Sequence, residues 1–338
     1  MQKKRVAING FGRIGRLALR ALFDYPNEEL FEVVATNSRT SADQRAYLFK
    51  YDSVHGRFSG DVSVKGDALL INGKTVSVLA EAEVENLPWK RMGIDLVIES
   101  SGKYTDARMA AQHIEAGAKK VLITAPAKNE DATIVMGVNE ATYDPALHNI
   151  VSNASCTTNC LAPVVKVLHE NFGIERGLMT TTHAYTNDQK TLDASHKNFH
   201  RGRAAALSLI PSTTGAASAI GKVYPAVAGK MNGLAVRVPT PDVSLVDLVV
   251  ELSKEFTVEE INGAMKTASE GPMKKYLGYE DDDLVSVDFT GDSRSSIFAS
   301  RHTMAIGSLV KVLAWYDNEW GYACRVLDLA NYMLRKES

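Results

Sequence analysis

Arg5-Val6-Ala7-Ile8-Asn9-Gly10-Phe11-Gly12-Arg13-Ile14-Gly15 joins a short β-type run directly to a glycine-rich turn, and residues 16–23 beyond it are rich in helix formers. Strand, G-x-G-x-x-G, helix is the setting in which this spacing signifies a dinucleotide-binding unit. Gly10 allows the tight turn, Gly12 lets the backbone approach a pyrophosphate, and Gly15 lets helix and strand pack closely. The helix start, Arg13 and Ile14, then presents its N-terminal end to the phosphates.

Residues 31–36 read as the second strand, which runs into Asn37-Ser38-Arg39-Thr40. An NAD-binding unit carries an acidic residue at this strand's end to hold the ribose 2′-hydroxyl. Here that carboxylate is missing. A 2′-phosphate, which an aspartate would repel, can bond Ser38 and pair with Arg39. The expected cofactor is therefore NADP, with NAD as the alternative. Ser41 opens a capping-box pattern, and Asn72-Gly73 reads as a hairpin turn. Residues 95–99 and 120–124 read as buried strands, with a helix capped by Thr105 and running through Ala116 between them. Strand–helix alternation predicts a parallel, doubly wound sheet whose carboxyl edge gathers Gly10, Gly12, Gly15, Ser38, residues 100–102 and Thr124.

The second half changes texture. Ser152-Asn153-Ala154-Ser155-Cys156-Thr157-Thr158-Asn159-Cys160 follows a strand end at 148–151 and leads into a helix. A cysteine at a helix start meets unpaired N–H groups and partial positive charge, which lower a thiol pKa from about 8.5. Downstream, Thr180-Thr181-Thr182-His183-Ala184-Tyr185 ends a β-branched run in a histidine. A thiolate with a histidine base suffices for covalent catalysis on a carbonyl. Pro163 predicts a kink or a delayed start in the helix after Cys156. Runs at 178–182, 234–238, 243–252 and 309–316, with few helices between them, predict a mixed or antiparallel sheet. Thr257-Val258-Glu259-Glu260 is a second capping box, and 322–334 reads as a closing amphipathic helix. The polar stretch 184–206 lacks periodicity, and a loop of that length in a compact domain is usually functional.

At 338 residues two domains are expected. A net charge of −2 gives no reason to expect a nucleic-acid or membrane partner. Three cysteines, Cys156, Cys160 and Cys324, are no disulfide framework and suit a reducing compartment. No set of ligands completes a metal site, Cys160 is assigned to helix packing, and neither a leader nor a membrane-length apolar run is expected.

The cysteine stretch, together with Thr182-His183-Ala184-Tyr185-Thr186-Asn187-Asp188, closely resembles the phosphorylating glyceraldehyde-3-phosphate dehydrogenases. So do residues 9–16, Lys50-Tyr51-Asp52-Ser53-Val54-His55-Gly56, Arg237-Val238-Pro239-Thr240-Pro241 and Trp315-Tyr316-Asp317-Asn318-Glu319. The resemblance implies a Rossmann-type cofactor domain over residues 1–155 with a C-terminal helix, 319–338, packed back on it. An α+β catalytic domain over 156–318 follows. It also implies a cytoplasmic homotetramer in which the loop 184–206 reaches a neighbouring subunit's cofactor. Cys156 would be the nucleophile and His183 the base. Thr186 and Arg237 would hold the phosphate of glyceraldehyde 3-phosphate. Ser155, Thr157, Thr214, Gly215 and Arg201 would hold inorganic phosphate, and Asn318 the nicotinamide carboxamide. NAD-specific members carry Asp in place of Ser38 and Leu-Pro in place of Ala194-Ser195; NADP-using members look like this chain at both places. In His200-Arg201-Gly202-Arg203 one arginine of the usual Arg-Arg-Ala-Arg is absent. The rival expectations are an NAD-linked enzyme of the same family, or a binding protein that senses dinucleotides without turnover.

Overall fold

The computed structural model describes residues 3–26 and 30–337. Met1, Gln2 and Ser338, at the ends of the expected first domain and closing helix, lie outside the described residues. The chain divides into two compact units. One runs to Ile134, resumes over Glu140–Ala154 and takes in the chain from Ala323; the other comprises Val135–Asn139 and Ser155–Tyr322. The short excursion at Val135–Asn139 had no sequence signal. Its cause is tertiary: the ring of Tyr276 lies against Gly137, and Lys166 Nζ donates to the Val138 carbonyl at 3.2 Å.

The first unit is an α/β fold on a nine-stranded sheet. From one edge the order is Ala132–Thr133, Ile150–Ser152, Lys120–Ile123, Leu96–Glu99, Lys4–Asn9, Phe31–Asn37, Lys74–Leu79, Ala68–Ile71 and Val62–Val64. Pairing is parallel as far as Lys74–Leu79, and the last two strands add antiparallel hairpins. Val6, Ala7, Ile8, Leu96, Val97, Ile98, Val121, Leu122 and Ile123 are wholly buried. Such unbroken apolar runs are what a parallel sheet covered on both faces requires. Asn72 and Gly73 both have positive φ, the geometry of a tight hairpin turn. The chain from Ala323 on is anchored to this unit by Arg325, whose Nη2 donates to the Tyr25 hydroxyl at 2.8 Å and pairs with Asp328 at 2.5 Å.

Two local expectations are corrected. Asp106, not Thr105, caps the next helix, accepting from Arg108 N at 3.0 Å. That helix is also broken into Ala107–Ala110 and Gln112–Glu115. Either side chain could cap; the aspartate carboxylate wins with three further donors, from Arg108 and Asn129.

The second unit carries a mixed sheet in the order Ile210–Thr213, Met231–Val238, Ile174–Ala184, Ser244–Leu252, Leu309–Tyr316, Ser296–Ala299 and Leu277–Glu280. Helices Cys156–Phe172, Ala216–Val223 and Val258–Glu270 belong to this unit. Thr257 and Glu260 form the reciprocal capping box. Pro163 does not delay its helix, which begins at Cys156 and continues to Phe172. Ser155 caps it, accepting from Thr158 N at 3.0 Å, and burial of residues 157–165 stabilises the helix through the proline.

Candidate active site

In the first unit, Lys4–Asn9 lies between Phe31–Asn37 and Leu96–Glu99, so the chain turns away in opposite directions on its two sides. The carboxyl end of such a strand is where open α/β sheets form their ligand crevice. The three glycines differ there. A Cβ on Gly10 (φ +96°) would stand 2.4 Å from Ser101 N, and one on Gly15 2.2 Å from the Gly10 carbonyl oxygen. Gly12 is different: a Cβ there would meet nothing within 4 Å, and its φ of −74° suits any residue. Nothing in the fold of this unit demands glycine at 12. Gly12 is also the N-cap of helix Arg13–Asp24, and no side chain caps the helix there, the arrangement in which a helix N-terminus can receive an anion. These residues fit a dinucleotide pyrophosphate. Gly12→Ala is accordingly expected to leave the melting temperature nearly unchanged while weakening dinucleotide binding by about tenfold or more, because it fills space that only the ligand uses. Calorimetric titration beside a thermal melt checks this, and an unchanged Kd would remove Gly12 from the site.

Around that edge, Arg13 is committed to Asp52, Nη1 to Oδ2 at 2.5 Å. Burial works to raise the Asp52 pKa, but Arg13 and the N–H groups of His55 and Val54 outweigh it and bring it to about 2. Ile14 is half-buried in the first helical turn. Thr124 spends its hydroxyl on the Glu99 carbonyl at 3.1 Å. Ser38 is half-buried, its Oγ 3.4 Å from Thr40 Oγ1, and Arg39 is exposed. Beneath them Glu99 accepts from Asn9 Nδ2 at 2.6 Å, and Asn37 Nδ2 donates to Asn9 Oδ1 at 2.8 Å.

In the second unit the alternation of strand Ile174–Ala184 decides the geometry. Met179, Thr181 and His183 point to one buried face, while Leu178 on the other is 66% exposed. Parallel pairing sets Arg237 directly beside His183. Cys156, half-buried in the first turn of its helix, places Sγ 3.5 Å from His183 Nε2. His183 Nδ1 lies 2.7 Å from the Ala184 carbonyl oxygen and 2.8 Å from Arg237 Nη1, which also donates to that carbonyl at 2.8 Å. The Tyr316 ring stands edge-on to the imidazole, and its hydroxyl bridges Thr157 Oγ1 at 2.8 Å and Thr181 Oγ1 at 2.9 Å.

Electrostatics here departs from the sequence-based expectation. Burial pushes the Cys156 thiol up, against the downward pull of Arg237 and the nearby N–H groups. Burial, reinforced by the Arg237 charge, pushes His183 down to about 3. The helix tip does not keep the sulfur ionised by itself. Burial favours the neutral form of each group: a thiol on Cys156 and an uncharged ring on His183.

The other residues singled out fall as follows. Asn318 is buried, and its Oδ1 accepts from Ser244 Oγ at 2.6 Å, which leaves its amide N–H groups to donate elsewhere. Thr214 Oγ1 accepts from Ala216 N at 3.2 Å, and Gly215 is the N-cap of helix Ala216–Val223. Arg201 is bonded to Ser212 at 2.8 Å and paired with Asp188 at 2.5 Å. Thr186 is half-buried just beyond the strand end; Ala194 and Ser195 are exposed on the long loop. Sequence reasoning missed Tyr316, Thr181 and Ser244. It also missed the left-handed φ of Val243 (+63°), a strained state for a β-branched residue. The next residue, Ser244, accepts from Ala184 N at 3.1 Å while holding Asn318. No helix among the described residues is long and apolar enough to cross a membrane.

Comparison with known proteins returns two matching families. Residues 4–107 match "Glyceraldehyde 3-phosphate dehydrogenase, NAD binding domain", and residues 155–318 match the C-terminal domain of the same name. Among curated relatives, a glyceraldehyde-3-phosphate dehydrogenase of Geobacillus stearothermophilus is 58% identical, covering 98% of both chains. Glyceraldehyde-3-phosphate dehydrogenase 1 of Bacillus subtilis is 55% identical over 98% of both. Glyceraldehyde-3-phosphate dehydrogenase 2 of a Nostoc species is 53% identical over 98% of this chain and 99% of its own.

Proposed function

This chain belongs to the glyceraldehyde-3-phosphate dehydrogenase family, and from that premise we propose that it converts glyceraldehyde 3-phosphate and inorganic phosphate reversibly to 1,3-bisphosphoglycerate, preferring NADP. The observation that carries the chemistry is Cys156 Sγ at 3.5 Å from His183 Nε2. Gly10, Gly12 and Gly15 would hold the pyrophosphate of a nicotinamide dinucleotide, which would supply the hydride acceptor, and the amide of Asn318 is the group proposed for its carboxamide.

The remaining work falls to side chains. Cys156 sulfur bonds to the aldehyde carbon as its proton passes to His183 Nε2, and the carbonyl oxygen takes that proton back to give a hemithioacetal. The Cys156 backbone N–H and the imidazolium steady the oxygen while it carries charge; one such donor is typically worth about 10²–10³ in rate. The reaction uses the tautomer with Nδ1–H directed at the Ala184 carbonyl, 2.7 Å away, rather than the one in which Nδ1 accepts from Arg237; Nε2 is then the lone-pair nitrogen, and His183 accepts the hydroxyl proton as the carbon is oxidised. A thioester on Cys156 is left. Phosphate oxygen attacks its carbonyl, the C–S bond breaks, and sulfur recovers a proton from His183. Arg237 and Thr186 hold the substrate phosphate; Arg201, Thr214, Gly215, Ser155 and Thr157 hold the attacking one.

The NADP preference rests on Ser38 standing where a carboxylate would repel a 2′-phosphate. NAD is the competing choice, in keeping with the name of the matching cofactor-domain family. Steady-state rates with each dinucleotide, with and without phosphate, decide between them: a tenfold higher kcat/KM with NAD would sink the preference. Ser38→Asp is expected to lower kcat/KM for NADP by about tenfold or more relative to NAD, through like-charge repulsion. An unchanged ratio would place Ser38 away from the 2′ position. The reading includes a cytoplasmic homotetramer. Leu178, Leu234 and Leu309, exposed on one face of the second sheet, support self-association, and sedimentation at the mass of a single chain would count against it.

A further inference from the structure

Arg45 belongs to no motif, yet it is among the largest side chains buried completely. It sits in helix Ala42–Lys50 of the first unit. Its Nε donates to the Thr40 carbonyl at 3.1 Å and lies 3.3 Å from Thr40 Oγ1. Nη1 donates to the Thr36 carbonyl at 2.8 Å and to Thr36 Oγ1 at 2.9 Å. Nη2 donates to the carbonyls of Ser38 at 2.5 Å and Leu79 at 2.6 Å. The guanidinium carbon lies 5.8 Å from the ring centre of Phe11, in the glycine loop. Every acceptor is neutral, and no carboxylate pairs with Arg45 among the described residues.

A cation withdrawn from water without a counter-charge is costly, and burying one with neutral partners alone is a poor way to gain stability. The carbonyls around it need donors, but not a charge; a neutral amide would supply donors at less electrostatic cost. Burial lowers the Arg45 pKa to about 10, which still leaves it charged at neutral pH. A charge in a low-dielectric interior is weakly screened, and an anion bound just above it would feel it. The segment wrapped around the guanidinium is Thr36–Thr40, which contains the Ser38 turn. Arg39 next door is exposed to solvent, where its charge is screened.

We propose that Arg45 is a positioning residue for the 2′-phosphate of the cofactor: it fixes the Ser38–Thr40 turn from beneath and supplies the buried positive charge that a 2′-phosphate uses and a 2′-hydroxyl does not. This role rests on the Ser38 reading above and names the residue that supplies the charge. It assigns discrimination to a group that need not touch the ligand.

The experiment compares calorimetric Kd values of adenosine 2′,5′-bisphosphate and 5′-AMP on the full chain, for the unaltered protein, Arg45→Gln, Arg45→Lys and Thr36→Val. The unaltered chain is expected to favour the bisphosphate by about tenfold or more. Arg45→Gln, which keeps a polar donor but removes the charge, loses most of that ratio. Arg45→Lys, which keeps the charge but not the fork, retains it within about threefold, and Thr36→Val leaves it unchanged. Equal weakening of both ligands in Arg45→Gln, or a ratio that collapses alike in the Lys and Gln variants, overturns the role of the charge. Should Arg45→Gln fail to fold, Arg45→Lys decides alone by the same threshold. Equal binding of the two ligands by the unaltered chain overturns the 2′-phosphate reading itself. A preference that Arg45→Gln leaves intact overturns only the role given to Arg45.

Discussion

Cys156→Ser is expected to retain the fold and lose turnover by about 10⁴-fold or more, the scale on which removal of a catalytic nucleophile acts. The substitution is nearly isosteric, and Ser155 still caps the helix through Thr158 N. The chemistry fails for two reasons. A hydroxyl ionises far less readily than a thiol, and the burial that already raises the Cys156 pKa acts on it as well. Cys160 cannot take over, because it is wholly buried and lies against Ser296. Two measurements check this. Without phosphate, the unaltered chain given aldehyde and dinucleotide accumulates one acyl group on Cys156, read by intact and peptide mass; the variant accumulates none. Turnover in the variant above about a hundredth of the original, or acyl mass on another residue, would show that Cys156 is not the nucleophile.

His183→Asn is the second large effect, a fall in kcat of about 10²–10⁴-fold, the range of a positioned acid–base group. Its signature separates it from simple damage. Burial raises the Cys156 pKa, so if Nε2 takes the thiol proton as proposed, the variant's reaction with iodoacetamide at pH 7 is expected to slow in step with kcat. Its alkylation midpoint rises above the ordinary thiol value of about 8.5, as burial alone dictates. Asparagine retains a polar side chain beside Arg237 and the Ala184 carbonyl, so the neighbourhood keeps its bonds. An alkylation profile identical to that of the unaltered chain would mean the sulfur ionises without the imidazole, and the assignment of His183 as its proton acceptor would be lost.

How legible these groups were depends on the range of the interaction behind them. The glycine loop was readable because its constraints are local: the left-handed φ of Gly10 and the close approach of Gly15 to the Gly10 carbonyl act within one turn of chain. The capping box at Thr257 was readable for the same reason, two bonds within four residues. The Thr105 expectation failed because two neighbouring residues could cap, and the choice was made by Arg108 and Asn129. The delayed start that Pro163 allowed did not occur, because tertiary burial outweighed a local backbone penalty.

By itself the sequence determined which side chains are available for chemistry and where each strand gives way to turn or helix, since periodicity, capping and turn sterics operate over a few residues. Only the tertiary structure decided what stands beside what. Arg237 reaches His183 across 54 positions because two parallel strands pair in one register. Tyr316 joins Thr157 and Thr181 because three distant segments bury it together. Arg45 became a lone buried cation only when the turn at Ser38 closed over it. Register, burial and the dielectric they create are properties of packed surfaces, and they push the Cys156 thiol up, against the direction that a helix start alone would give.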